Sequence, residues 1–345
     1  MNRAELLLLL QAARESPDDP LALLVVADWL EENGDGADRD RAEAIRLFAR
    51  SIQPLRQAEI AARHRARWLR PFLECEADPR LVGGTVHANL SAKALLAAEE
   101  LGAHLREEWA WLFHAALACS PADAPKAAAS AVLATVPALR LALADKALAA
   151  VLASPHLGGL RSLSLKHNRM GEEGARIVAQ APLRGLRALV LSDNDFGDRG
   201  MAHLLASPCL GNVETLDLAK TALRNGVADL ARSPAFPRLC VLDLGRNSVG
   251  RDGAKALAVA AFADRLRVLR LESCGLTDQA VGLLAGSEGL RNLRELHLGG
   301  NALTDASAAS LAEAPWPRLE RVDLAKTKCT AKAVGLLEKV KLVTV

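Results

Sequence analysis

Nine residues, Leu239 to Asn247, read LCVLDLGRN, and with conservative replacements the phrase occurs seven times between Leu160 and Thr327. Its ninth place is held by Asn168, Asn194, Thr221, Asn247, Cys274, Asn301 and Thr327, at separations of 26, 27, 26, 27, 27 and 26 residues. A period this regular constrains the fold more than any composition could. Within each phrase the leucines alternate, so they point inward from a short strand. The ninth side chain is expected to turn inward and satisfy backbone groups of the loop that follows. A Gly- and Asp-rich start and an Ala/Leu helix come next, as in GEEGARIVAQ from Gly171, GRDGAKALAV from Gly250 and TDASAASLAE from Thr304. One such unit cannot bury its leucine face alone, so stacking must make the core.

A strand-plus-helix unit of this length resembles the ribonuclease-inhibitor-like subclass of leucine-rich repeats. The resemblance implies an α/β horseshoe solenoid, with a parallel sheet on the concave face and helices on the convex face. Seven clear repeats occupy residues 157–345, and KLVTV at 341–345 reads as a closing strand whose edge Lys339 and Lys341 protect.

Residues 1–75 read differently. Ala4–Arg14 reads as a helix, and Asp18-Asp19-Pro20 as the start signal of a second, Leu21–Glu32. Its expected buried face is Leu21, Leu24, Val25, Trp29 and Leu30. Asn33-Gly34 is expected to end it in the left-handed conformation, before a polar loop at 35–40. Residues 41–70 read as helical with a break near Pro54, and carry eight Arg against two Glu. The ADWLEE core at Ala27–Glu32 and the Arg41–Leu47 segment resemble a small all-α companion domain found at the N-termini of bacterial repeat proteins. That family implies an interaction or scaffold module with no active site.

Residues 76–156 read as atypical capping repeats with a helical insertion. A Gly-Gly turn and TVHANL suggest a strand, Ser91–Leu105 a helix, and the stretch holding Trp109, Trp111, Phe113 and His114 helical pieces around a loop at 120–126. LRLAL at 139–143 reads as a degenerate strand, and Lys146–Ala153 as its helix.

Candidate function follows from alternation. A fifth-place row, Ser164, Val190, Asp217, Asp243, Arg270, His297 and Asp323, faces out of the sheet. Beside it runs an eighth-place row, His167, Asp193, Lys220, Arg246, Ser273, Gly300 and Lys326. The central mixture of Asp217, Lys220, Asp243, Arg246, Arg270 and Glu272, with His297 and Asp323 beyond it, suits a charged protein surface. The expected role is therefore a non-catalytic interaction scaffold binding a protein partner on the concave face. Two alternatives remain: an enzyme regulator, as GTPase activator or inhibitor, and a polyanion or nucleic-acid contact through the Arg-rich 41–70 helix. Lys plus Arg is 43 against 41 for Asp plus Glu, a balance that argues against nucleic acid and acidic membranes. No phosphate loop, GxSxG or HExxH is present, and no cofactor or metal is expected. His297, Asp323 and Ser273 would make a hydrolytic trio only with an oxyanion hole, which an open sheet does not provide. The six cysteines form no CxxC pair, which fits free thiols in a cytoplasmic monomer. The run Leu6–Leu10 is too short for a signal-peptide core, and no run is long enough to span a membrane.

Overall fold

The computed structural model describes residues 3–103, 106–143, 145–337 and 340–344. The chain divides into two compact units, at Ser164/Leu165.

The first unit begins with four helices: α1 (Arg3–Ala13), α2 (Leu24–Asn33), α3 (Gly36–Ala49) and α4 (Pro54–Leu73). A 3-10 turn, Pro20–Leu23, precedes α2 and is capped by the Asp19 side chain. Its tighter winding changes which residues face inward. Leu23, Val26, Ala27, Trp29 and Leu30 are buried, whereas Leu21 and Val25, expected in the core, are 58% and 60% exposed. Gly34 ends α2 in an extended conformation, not a left-handed one (φ −87, ψ 169). The expected loop at 35–40 is instead the start of α3, because Asp35 and Asp38 form a reciprocal capping box.

Strands β1 (Asp78–Val82) and β2 (Thr85–Leu90) form an antiparallel hairpin around Gly83-Gly84, both with positive φ. Three strands then join in order and parallel: β3 (Leu112–Leu117), β4 (Ala138–Leu141) and β5 (Ser162–Ser164). Helices α5 (Ala92–Glu100), α6 (Ala124–Ala129) and α7 (Asp145–Leu152) connect them. Strand β3 is a correction: residues 112–117 belong to the sheet and are not part of a helical insertion. Phe113, Ala115 and Leu117 are buried and His114 and Ala116 less so, the period-2 burial of a strand. Leu105, the expected end of the helix after Ser91, lies outside the described residues; α5 stops at Glu100.

The N-terminal helices pack on these first repeats. The Arg41 guanidinium sits between the rings of Trp68 (4.3 Å) and Trp111 (4.0 Å). Arg161 donates to both carboxylate oxygens of Glu15, at 2.7 and 2.9 Å.

The second unit contains β6 (Ala188–Val190), β7 (Thr215–Asp217), β8 (Val241–Asp243), β9 (Val268–Arg270), β10 (Glu295–His297), β11 (Arg321–Asp323) and β12 (Leu342–Thr344). From β7 onward each is parallel to its predecessor. Helices α8 (Glu172–Gln180), α9 (Gly197–Leu205), α10 (Gly226–Arg232), α11 (Gly250–Ala258), α12 (Asp278–Ala285), α13 (Asp305–Ala312) and α14 (Ala331–Leu336) complete the repeats. The register sets like places side by side: Leu189, Leu216, Leu242, Leu269, Leu296, Val322 and Val343 are successive partners. Leucines of the fourth and sixth places, such as Leu242 and Leu244, are fully buried. On the last strands Lys341 pairs with Glu320 at 2.8 Å, while Lys339 and Val345 lie outside the described residues.

The inward ladder of ninth places has alternating rungs. Asn247 Oδ1 accepts from the Thr221 and Leu223 amides (3.1 and 3.0 Å), and its Nδ2 donates to Leu218 and Leu244 carbonyls (2.7 and 3.0 Å). Asn194 does the same for Asn168 and Met170, and Asn301 for Cys274 and Leu276. Each asparagine therefore serves the loop of the preceding repeat as well as its own strand. Thr221 and Thr327 make the shorter bond to the carbonyl three residues back, and Cys274 Sγ donates to Leu244. Burial pushes the Cys274 thiol up to about 12, so it packs as an inert group. Asn168 and Thr327, at the two ends, are only half-buried.

Candidate functional site on the open face of the sheet

The fifth-place row is real within the second unit: Val190, Asp217, Asp243, Arg270, His297, Asp323 and Thr344 are successive register partners. Ser164, its remaining member, lies on β5 of the first unit. The third places, Val241 among them, lie on the same face and add Glu295 and Arg321, as alternation implies.

The eighth-place row is corrected. His167, Asp193, Lys220, Arg246, Ser273, Gly300 and Lys326 all have φ between 54 and 70. The backbone leaves the strand there in the left-handed conformation, so these side chains rim the sheet at the ends of its strands. Lys220 pairs with Asp193 at 3.0 Å, and His167 Nε2 lies 3.2 Å from the same carboxylate. The Lys220 bond, with the charges of His167 and Lys166, holds Asp193 below the usual carboxylate range. Arg246 is exposed and has no ion pair among the described residues.

Three of the row's aspartates first serve the fold. Oδ1 of Asp217, Asp243 and Asp323 accepts from the amide two residues on, Ala219 (3.0 Å), Gly245 (2.9 Å) and Ala325 (2.9 Å). Such a bond clips the strand end into the left-handed turn. The second oxygen remains for other partners: Asp217 Oδ2 accepts from Ser192 Oγ at 2.7 Å.

Around β8–β11 the face is acidic. Asp243, Glu272, Glu295 and Asp323 surround Arg270 and His297, all half-buried. Burial, followed by the Asp217 charge, pushes Asp243 up, against the Gly245 amide that lowers it. Burial, with the Asp243 charge, likewise raises Glu272. His297 Nε2 lies 3.3 Å from Glu295, and its Nδ1 lies 3.7 Å from Glu272 and 3.9 Å from Asp323. Ser273, on its left-handed turn, makes no hydrogen bond to His297 among the described residues, so the hydrolytic trio is not assembled.

Five of the eight arginines in the 41–70 segment pair with carboxylates of the helical region. Arg46 pairs with Asp28 and Glu31, Arg56 with Glu43, Arg63 with Asp40, Arg67 with Asp35 and Arg70 with Glu74, all within 2.9 Å. Arg41 is buried between tryptophans. Arg50 and Arg65 are exposed and make no ion pair among the described residues.

Repeat period, buried leucine rows and asparagine rungs define a leucine-rich-repeat solenoid, and a helical region precedes it. Three segments, residues 185–205, 239–258 and 289–312, match the family model for the leucine-rich repeat. The ribonuclease inhibitor of Mus musculus is 35% identical over 101 residues, 27% of this chain and 22% of that protein, so the chain spans about a fifth of this curated relative. Among solved structures, the complex of Rad7 and Elc1 in yeast aligns with 94% of this chain and 80% of that one, at 15% identity and TM-score 0.49. An internalin from Listeria monocytogenes aligns with 62% of this chain and 55% of that one, at 16% identity and TM-score 0.41.

Proposed function

We propose that the protein is a non-catalytic scaffold that captures a protein partner on the open face of its repeat sheet, and that the partner presents a basic surface there. The observation that carries this reading is the run of charges along β7–β11 and the turn after β9, where half-buried Asp217, Asp243, Glu272, Glu295 and Asp323 outnumber Arg270, His297 and the exposed Arg321. Proteins with leucine-rich repeats generally serve as interaction scaffolds, and a rigid, pre-organised face loses little entropy on binding. Six unpaired cysteines support a reducing, cytoplasmic setting.

The test is affinity capture from the native cell extract with Glu295→Lys, Arg270→Glu and, as a helix-side control, Lys255→Glu. The expected result is one set of proteins retained by wild type and the control and lost with Glu295→Lys. Capture unchanged by both sheet variants would move the site off this face. Asp243→Arg is a poorer probe, because it also removes the clip to Gly245.

A second reading, inhibition of an RNA-cleaving enzyme, is favoured by the likeness to ribonuclease inhibitor. An enzyme that grips RNA needs Lys and Arg at its substrate groove, and an acidic face complements such a groove. Adding the protein to a basic pancreatic-type ribonuclease should then slow RNA cleavage; an unchanged rate at micromolar protein would end this reading.

A further inference from the structure

We propose that Glu272, His297 and Asp323 form a binding site for a divalent transition cation of the zinc class on the open face of the sheet. One ligand atom from each of the three lies within 4.8 Å of the others.

The three residues come from successive repeats. His297 and Asp323 are direct register partners on β10 and β11. Glu272 stands two residues beyond Arg270, the β9 partner of His297, and so returns to the same face. Their spacing is long for hydrogen bonds and close to what a shared ion requires. His297 Nδ1 is 3.7 Å from Glu272 Oε1 and 3.9 Å from Asp323 Oδ2, beyond a true hydrogen bond. Zinc holds His nitrogen and carboxylate oxygen at roughly 2.0–2.2 Å, so atoms sharing one ion lie about 3.0–3.6 Å apart. Small side-chain rotations close that difference.

The surroundings favour a cation in three ways. The ring of His297 is oriented from behind, since its Nε2 faces Glu295 Oε2 at 3.3 Å. A neutral imidazole that donates there presents the Nδ1 lone pair to the ion, the carboxylate–histidine–metal arrangement of zinc proteins. Asp323 has its Oδ1 fixed by the Ala325 amide, which aims Oδ2 toward the ring. Two carboxylates match the ion's charge, and among the described residues Arg270 makes no ion pair that would fill the site. Three protein ligands on an open face leave a coordination position for water or for a partner's side chain.

The test is titration of the metal-free full chain with zinc chloride, followed by calorimetry, and with cobalt(II) chloride, followed by absorption. The expected result is one ion per chain, at least tenfold weaker with His297→Gln and with Asp323→Asn, and unchanged with His203→Gln on α9. The cobalt spectrum should show ligand-field bands without the intense thiolate charge-transfer band, which separates this site from the free cysteines. Thermal midpoints of the metal-free variants, close to wild type, show that they fold. Absence of saturable binding overturns the proposal, as does binding that survives both substitutions or carries the thiolate band.

Discussion

At the scale of single residues, the side chains divide by what their backbone neighbours require. Asn247 makes five buried bonds to main-chain groups of two repeats. Replacing it with Ala orphans two buried amides, at about 1–3 kcal/mol each, while the Leu218 and Leu244 carbonyls keep Thr221 Oγ1 and Cys274 Sγ as partners. Asn247→Ala should therefore destabilise the protein by roughly 3 kcal/mol or more in urea unfolding, against about 1 kcal/mol for Thr221→Ser, which keeps the hydroxyl bond. Equal losses would mean that the asparagine rung carries no special load. Asp243 shows the opposite tension. Burial holds its carboxyl above the ordinary range, so the folded protein keeps that proton to a higher pH than the unfolded chain. Stability from this group is full below the unfolded value and is lost as pH rises through the folded one. Asp243→Asn keeps an oxygen for the Gly245 amide and removes the buried charge. In chelator-containing buffer it should raise the melting temperature at pH 7, with the gain shrinking as pH falls through the carboxylate range. A gain independent of pH would trace it to something other than ionisation.

At the scale of elements, the strands were legible and the joins between repeats were not. The spacing of Leu239, Leu242 and Leu244 with Asn247 states both a strand and its inward face, because only one period fits it. Strand β3 escaped notice because Leu112–Leu117 has Ala115 where the following strands have Leu139 and Leu163, and an Ala-rich run has the composition of a helix. The eighth places were misjudged since alternation stops where φ turns positive, and Lys, Arg and His are not the residues that advertise that turn. A second ladder was overlooked on the helical side. Asp198 accepts from the amides of Arg224, Asn225 and Gly226, Asp278 from Thr304, and Asp305 from Thr330. Each of these aspartates opens one helix and caps the start of the next, four places after Asn194, Cys274 and Asn301 respectively; the period was in the sequence, but its bonds run between repeats. Asp198→Ala should cost about 1–2 kcal/mol, as lost helix caps do. Hydrogen exchange should speed up at residues 224–226 and leave the β8–β10 amides protected; uniform loss of protection would make Asp198 a global determinant. By contrast, Leu244→Ala removes a fully buried side chain and should cost about 2–5 kcal/mol.

At the scale of the whole molecule, charge decides among the partners. A formal net charge of +2 produces no long-range pull on a polyanion. In the densest run of arginine, α3 and α4, Arg46, Arg56, Arg63, Arg67 and Arg70 are paired locally with Asp28, Glu31, Asp35, Asp40, Glu43 and Glu74. Counting arginines along 41–70 suggested a polyanion contact because most of their acidic partners lie outside that window and become neighbours only through helix packing. Binding to nucleic acid would have to break these pairs, several of them short and with half-buried heads, before releasing any counterions. Fluorescence anisotropy of a labelled 20-nucleotide single strand and of a duplex should therefore show no saturable binding at 50 mM salt and micromolar protein. Binding that falls steeply with added salt would show that the arginines exchange partners, since affinity carried by phosphate contacts declines linearly with the logarithm of salt. The acidic sheet face should instead select cationic proteins. Their capture should weaken over the same salt range by far less than a polyanion complex would, because half-buried charges are screened less than exposed ones.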